Sequence, residues 1–408
     1  MAERVVVTGV GGILPMGGDR KSLMSALRAG RSGIGPLTRF DPGPFRVRLA
    51  GQVDDFEPER WIARHRLKRM DRCAQFAVVA CRLAFEDARL EVGGGLLRAR
   101  WGVSCGTALG GFAQAEAQHA RFLERGLGGV TPSLALQVFG AAAHSQVAIE
   151  FGLAGYSITN SNSCAAGAVA VGEAFRAIRE GRCDLMVAVG AEAPLAPLTF
   201  GAFELLDTMC PEGFFPFDVR RGGFVMGEGS MALVCESRSH AEARGAEPIA
   251  EILGYALNND AYHMSSPRPD RETIAACMRA ALASANVAPE EIGYLNAHAS
   301  GTKLNDATEC AAIRDVFGAH AQRLTVSGTK PFHGHSLGAV GAVESAICCL
   351  ALHQGWLPPT INLEQQDPAC DLYCIPRVGV ERRVDRIMKD SFGFGGINAC
   401  LVFGRAGG

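Results

Sequence analysis

The chain has 408 residues, of which 48% are hydrophobic, 20% charged and 50 are glycine, a balance that excludes a disordered chain and reads as a compact, glycine-rich α/β protein with room for a large core. A formal net charge of -2 and a pI near 6.6 exclude a broad nucleic-acid footprint and leave one basic stretch, Arg64, Arg66, Lys68, Arg69 and Arg72, able to meet an acidic partner. The 14 cysteines are scattered through apolar runs, and neither a signal-peptide core nor an uncharged run of the ~18 apolar residues a membrane span needs is present, so reduced thiols in a soluble cytoplasmic protein are expected.

Short β-branched runs at residues 5–7, 101–104, 185–189, 292–295 and 324–326 each end in a small or polar residue and lead into a helical stretch, which predicts βαβ units and largely parallel sheets. After the first run, Gly9-Val-Gly-Gly12 predicts a tight turn. It is not a dinucleotide fingerprint, because Leu14 stands where the last glycine is needed and no acidic residue follows at the required distance.

The chain also matches itself. Cys164-Ala-Ala-Gly-Ala-Val-Ala-Val-Gly-Glu173 lies over His335-Ser-Leu-Gly-Ala-Val-Gly-Ala-Val-Glu344, and Phe224-Val-Met-Gly227 with Leu233-Val234 lies over Phe392-Gly-Phe-Gly395 with Leu401-Val402. A duplication follows, with halves 1–250 and 251–408 sharing one core since no Pro- or Ser-rich linker divides them, and with Cys164 and His335 at equivalent positions.

Cys164 ends the Ser/Asn-rich turn Thr159-Asn-Ser-Asn-Ser-Cys164 where a helical run begins, a place where unpaired N–H groups and the helix dipole favour thiolate over thiol. Any one of 14 cysteines is far more often an inert core thiol, and the turn singles this one out. His298 closes a strand before the polar loop Ala299-Ser-Gly-Thr302, the usual location of ligand chemistry in open α/β sheets. His335 follows Gly328-Thr-Lys-Pro-Phe-His-Gly334, and the lysine there, Lys330, needs an anionic partner in apolar surroundings, for which Glu309 is the candidate. One Cys with two His is a grouping that covalent acyl transfer needs, although other chemistries use it too.

Two decoys share these segments. Gly334-His-Ser-Leu-Gly338 fits a nucleophile elbow, which offers a serine acyltransferase using Ser336, but the one later histidine, His353, falls on the same predicted helix rather than on a separate loop. Cys370 and Cys374 lack the further ligands of a metal site, so no metal is expected.

The opening Arg4-Val-Val-Val-Thr-Gly-Val-Gly, Met70-Asp71, Asp260-Ala-Tyr-His-Met-Ser-Ser-Pro267, Asn296-Ala-His298, Gly328-Thr-Lys330, Gly334-His335, Gly341-Ala-Val-Glu-Ser345, Pro358-Pro-Thr-Ile-Asn362 and Ser391-Phe-Gly-Phe-Gly-Gly396 occur in order and at compatible spacing. Through these motifs the chain resembles, over almost its whole length, the elongating β-ketoacyl-acyl carrier protein synthases of the thiolase superfamily. The resemblance implies a duplicated thiolase fold, layered α-β-α-β-α around two mixed, mainly parallel sheets. It implies that Cys164 carries an acyl thioester, that His298 and His335 hold a malonyl thioester carbonyl while carbon dioxide leaves, and that Lys330, paired with Glu309, tunes them. The N–H groups of Cys164 and Phe394 would form an oxyanion hole, and Phe394 would gate the pocket.

By the same resemblance Ser265, Ser300 and Thr302 contact a pantetheine arm, which arrives on the carrier protein so that no resident cofactor is needed. Arg64, Arg66, Lys68 and Arg69 dock the acidic carrier, and Leu109 and Phe139 set acyl length deep in the pocket near a dimer interface, with a second copy or a homologous ketosynthase-like subunit as the mate. Asn162-Ser163, Ala299, Lys303 and Asp207 depart from the usual pattern, and Gly301-Thr-Lys-Leu-Asn-Asp306 resembles specialised polyketide synthases, which puts a housekeeping fatty-acid role in doubt. A chain-length-factor-like subunit is the non-condensing alternative, but such subunits usually lack the nucleophile.

Overall fold

The computed structural model describes residues 3–92 and 95–407. Eleven strands form one hydrogen-bonded sheet: β1 (Val5–Ile13), β2 (Trp101–Gly106), β3 (Ser157–Asn160), β4 (Leu185–Glu192), β5 (Gly229–Ser237), β6 (Ala250–Asn259), β7 (Tyr294–Asn296), β8 (Thr325–Ser327), β9 (Tyr373–Cys374), β10 (Arg386–Gly393) and β11 (Ile397–Arg405). Their spatial order is β9-β8-β7-β10-β11-β6-β1-β5-β4-β2-β3. A short antiparallel seam, Val5–Val7 against Ile252–Ala250, divides it into two mixed sub-sheets of matching order, β1-β5-β4-β2-β3 and β6-β11-β10-β7-β8. The outer strands of each half pair in parallel and the inner ones antiparallel, and apart from the extra parallel pair β8–β9 in the second half the strand pairs correspond one for one.

The helices that matter for the site are α1 (Arg72–Asp87), α2 (Phe112–Arg125), α3 (Ala142–Phe151), α4 (Ala166–Arg179), α5 (Glu272–Ala285), α6 (Lys303–Phe317) and α7 (Val340–Gln354). Helices α1 and α3 cover the outside of the first half and α5 and α6 the outside of the second, while α4 and α7 pack on each other between the two. Strands covered on both faces read as continuous apolar runs, and β4 and β5 are buried throughout. Residues Leu337–Gln354, a run interrupted by the charge of Glu344, are long and apolar enough to cross a membrane, yet 89% of the segment is buried inside the protein. It is apolar all round because sheets and a helix surround it.

The two central helices meet where each has a glycine. A Cβ on Gly167 would lie 2.6 Å from Ala342 N, and one on Gly341 would lie 2.3 Å from Ala168 N, the same contact made reciprocally about a pseudo-two-fold axis. Each helix is entered through a residue in left-handed conformation, Ser163 (φ 49°) and Leu337 (φ 39°). This geometry corrects the register of the internal repeat: Cys164 is equivalent to Gly338, not to His335. Both helices begin with Ala, Gly and Val, so a slip of about one turn still produces identities. Of the second match, Leu233-Val234 over Leu401-Val402 holds, since β5 and β11 occupy corresponding places beside β4 and β10, whereas Phe392 ends β10 and so corresponds to the end of β4 rather than to Phe224.

Residues Gly9 to Gly12 are not a turn but part of β1. A Cβ at Gly9 or Gly11 would come within 2.4 Å or 2.3 Å of the backbone at Ala84, so these glycines admit α1 against the strand. Gly341→Ala is expected to lower stability by about 1–3 kcal/mol through overpacking, whereas Gly35→Ala, with nothing within 4 Å of its Cβ position, is expected to be neutral. Urea unfolding midpoints compare the two.

Candidate active site

The turn Ser163–Ala165 carries Cys164 to the start of α4, where its side chain is buried. The Ser163 hydroxyl lies 3.8 Å from the sulfur, and the Phe394 N–H is directed at it. Burial nevertheless raises the thiol above its ordinary pKa, outweighing the Ser163 hydroxyl, the Lys330 charge and the Phe394 N–H, so the helix terminus does not make a standing thiolate as the turn alone suggested. Gly393, at the end of β10, faces Cys164: its Cβ position is 3.2 Å from the Cys164 N. The absence of a side chain there keeps that N–H accessible beside the one of Phe394.

His298 ends β7's extension, with its backbone N–H donating to Glu309 at 2.6 Å and that of Ala299 at 2.8 Å. Ala299 adopts φ 45°, a conformation that favours glycine, so its departure from the family pattern carries backbone strain. His335 enters from the second central turn, held by its N–H to Val225 O (2.7 Å) and by its carbonyl from Gly227 N (2.9 Å). The two imidazoles meet edge to face with centroids 5.6 Å apart; Phe392 packs on His298 and Phe224 on His335.

Lys330 donates to the His298 carbonyl and lies 3.4 Å from His298 Nδ1. An ammonium only donates, so Nδ1 accepts and the ring proton resides on Nε2. Burial, then the Lys330 and neighbouring histidine charges, hold His298 and His335 well below the ordinary histidine range, so both rings are neutral. The carboxylate of Lys330 is Glu344, at 2.9 Å, not Glu309 as expected; Glu344 also pairs with Lys389 at 2.9 Å. Glu309 is instead the acceptor for the loop after His298, and burial followed by the Asp390 charge raises it to about 8. Burial alone would raise Glu344 as well, but the two lysines hold it below the usual carboxylate range.

A cavity of about 460 Å³ ends on Cys164, His298, His335 and Phe394. Of the expected pantetheine contacts, Ser265, Ser300 and Thr302 all line it, the last two 3.1 Å apart. Loop 260–267 closes on the glycines after Phe394, through Gly395 N to Met264 O and Asp260 N to Gly396 O, both 2.7 Å. Phe394 stacks on Phe203 at 6.2 Å, on the wall of the cavity. Leu109 packs half-buried against the apolar cluster that includes Cys164 and Leu337 but does not line the cavity, and Phe139 is 58% exposed and does not line it either, so within one chain Phe139 is not a deep pocket residue. Lys68, Arg64 and Arg69 are exposed, whereas Arg66 is engaged with Glu150 and is not a free docking charge. Asp207 stands exposed at the mouth, paired with Arg46 at 2.9 Å. Ser336 is buried, and His353 is exposed at the far end of α7, about 25 Å further along the chain at ~1.5 Å per residue, so no Ser336 triad is assembled with it.

Sequence reasoning missed the pairing of Glu344 with both lysines, although a lone Glu in the apolar run of α7 and a Lys in a strand were visible signals of a buried pair. The arrangement offers a sulfur nucleophile, two backbone donors converging on it, and two neutral imidazoles backed by a fixed ammonium, the parts needed to hold an acyl group and stabilise a second carbonyl as it becomes an enolate.

Glu344→Gln strands two buried ammonium groups and is expected to cost about 3–5 kcal/mol; Glu309→Gln keeps an acceptor and is expected to cost about 1 kcal/mol, both read by denaturant unfolding. Because His298 and His335 are depressed below the ordinary 6.5, lowering the pH through 6.5 leaves them neutral. Decarboxylation of a malonyl thioester is therefore expected to show no acid limb at 6.5; an acid limb there would mean that a ring needed in its neutral form still titrates at the ordinary histidine value.

Residues 2–241 match the β-ketoacyl synthase N-terminal domain family and residues 249–364 the C-terminal domain family. The 3-oxoacyl-(acyl-carrier-protein) synthase 2 of Coxiella burnetii (strain RSA 493 / Nine Mile phase I) is 38% identical over 99% of each chain, and that of Synechocystis sp. (strain ATCC 27184 / PCC 6803 / Kazusa) is 39% identical over 98% of each. Among solved structures, the ishigamide ketosynthase/chain length factor superposes with a TM-score of 0.93 at 37% identity over 100% of both chains. A type II polyketide synthase ketosynthase, solved with its acyl-carrier protein, superposes with a TM-score of 0.90 at 33% identity, again over 100% of both. With the fold, the paired central turns and these full-length matches in agreement, the chain belongs to the β-ketoacyl synthase family.

Proposed function

We propose that the protein is an elongating condensing enzyme that joins an acyl thioester to malonyl-acyl carrier protein. The observation that carries this reading is the convergence, along one cavity, of Cys164, the N–H of Phe394 aimed at its sulfur, the Cys164 N–H left uncovered by Gly393, and the neutral pair His298 and His335. The Cys164 sulfur attacks the acyl carbonyl while the two N–H groups take the oxyanion. The carrier's pantetheine leaves as a thiol with the Cys164 proton, and the acyl group stays on Cys164. Malonyl carrier then enters with its thioester oxygen toward the histidines. The electrons of the C–CO₂ bond pass into the enolate as carbon dioxide departs, the enolate carbon attacks the acyl carbonyl, and Cys164 leaves as thiolate, yielding a β-ketoacyl carrier protein. The chemistry calls for no resident metal or cofactor.

The carrier docks through Arg64, Lys68 and Arg69, and Ser265, Ser300 and Thr302 guide its pantetheine. The outer edge of β3 and the exposed Leu123, Leu127, Leu136 and Phe139 form the face for a second copy or a homologous subunit, which would bring Phe139 under cover. Cytoplasmic location is supported by 14 buried, free thiols. A non-condensing partner subunit of the chain-length-factor kind is disfavoured by the retained Cys164.

Intact-mass measurement of wild type and Cys164→Ala, incubated with a panel of acyl carrier thioesters and then malonyl carrier, tests the reading. Wild type alone is expected to gain the acyl mass and release a product two carbons longer; acylation persisting in Cys164→Ala overturns it. Charge reversal of Arg64, Lys68 and Arg69 is expected to slow acylation from carrier thioesters about tenfold at low salt and to leave carrier-free thioesters unaffected.

A further inference from the structure

Strand registers place Glu192 and Gly393 at equivalent positions in the two halves: Glu192 faces Gly229 across the β4–β5 pair as Gly393 faces Ile397 across the β10–β11 pair. Cys164 and Gly338 are likewise equivalent, one residue after Ser163 and Leu337. The protein therefore has two related niches over two helix-entry N–H groups. Over Cys164, Gly393 leaves the niche open. Over Gly338, the Glu192 carboxylate fills it, accepting the Gly338 N–H at 3.1 Å. Gly338 must itself be glycine, since its Cβ position is 2.2 Å from Ala108 N and 2.6 Å from Glu192 Oε2.

Glu192 is fully buried and does more than close that niche. It also accepts Ala108 N at 2.6 Å, Leu109 N at 3.2 Å and the Thr107 hydroxyl at 3.2 Å. One carboxylate thus ties the loop after β2 to the turn before α7. Ala108 and Leu109 on one side and Leu337 on the other belong to the apolar cluster around Cys164. None of the three lines the cavity itself, so their spacing acts through the apolar packing beside Cys164.

We infer that Glu192 is a positioning residue for acyl-chain length: by fastening residues 107–109 to Gly338 it fixes the width of the apolar space beside Cys164. This rests on the condensing function proposed above and adds to it a determinant that touches neither substrate nor the reacting atoms. Burial raises Glu192 to about 7, and the three N–H groups and the hydroxyl that it accepts offset only part of that rise.

Glu192→Gln preserves volume but puts an amide donor among N–H groups, so it loosens the tie without opening a cavity. Rates of Cys164 acylation by short and long acyl carrier thioesters, read by intact mass, and the rate of malonyl decarboxylation are compared with wild type. The long-to-short ratio is expected to rise about tenfold, the order that a methylene or two is worth in an apolar pocket, with decarboxylation within about twofold. Thr107→Val, which removes one bond to Glu192 together with the acceptor of the Gly110 N–H at 2.9 Å in the same loop, is expected to shift the ratio in the same direction by less and serves if the first variant does not fold. An unchanged ratio in a folded variant, or an equal loss for all chain lengths together with decarboxylation, overturns the inference. Failure of the wild type to acylate or decarboxylate would instead overturn the condensing function itself.

Discussion

The close approach of α4 and α7 is the constraint on which the rest depends. Backbones pass at Gly167 and Gly341 with no space for a Cβ, so the two helix-entry turns are locked side by side in the middle of the molecule. That contact brings the Cys164 turn of the first half against the His335 segment of the second, and no exposed loop need be ordered to assemble them. The apolar character of both helices follows from their position between two sub-sheets, and the buried charges of Lys330, Lys389 and Glu344 are tolerated because they answer one another within this layer.

Chemistry arises where the symmetry breaks. The same framework supplies two N–H niches and two strand ends, and side-chain choice treats them oppositely: glycine at 393 leaves the niche over the Cys164 N–H open, and glutamate at 192 fills its counterpart over Gly338. Likewise Lys330 and Lys389 share one carboxylate, Glu344, which leaves Lys330 free to fix the Nδ1 of His298 as an acceptor. The histidines are then neutral donors held in place, and the energetic burden of burial falls on the ion triplet behind them rather than on groups that meet substrate.

Much of this was legible in the sequence. Strands at 5–7, 101–104, 185–189, 292–295 and 324–326 were readable because each is a short β-branched run with a helix after it, and the structure extends or shifts them by a few residues. The triad of Cys164, His298 and His335 stood out by its turn and strand-end contexts, reinforced by family motifs. What was not legible depended on three-dimensional partners. Glu309 and Glu344 both lie on helices in reach of Lys330, and which one bonds it follows from packing. Gly9 to Gly12 looks like a turn by composition, and only the crossing of α1 explains glycines inside a strand. The repeat register slipped because two Ala/Gly/Val-rich turns match themselves nearly as well one turn out of phase. Phe139 is exposed in a single chain, so the role expected for it requires a second subunit.

The most direct test of the account is a crystal structure of the protein trapped with an acyl group on Cys164. The account requires the acyl carbonyl oxygen to sit about 3 Å from the N–H groups of both Cys164 and Phe394, with His298 and His335 left facing the cavity for the second substrate. An acyl group on another residue, or a carbonyl oxygen turned to the histidines with the niche beside Gly393 empty, would contradict it.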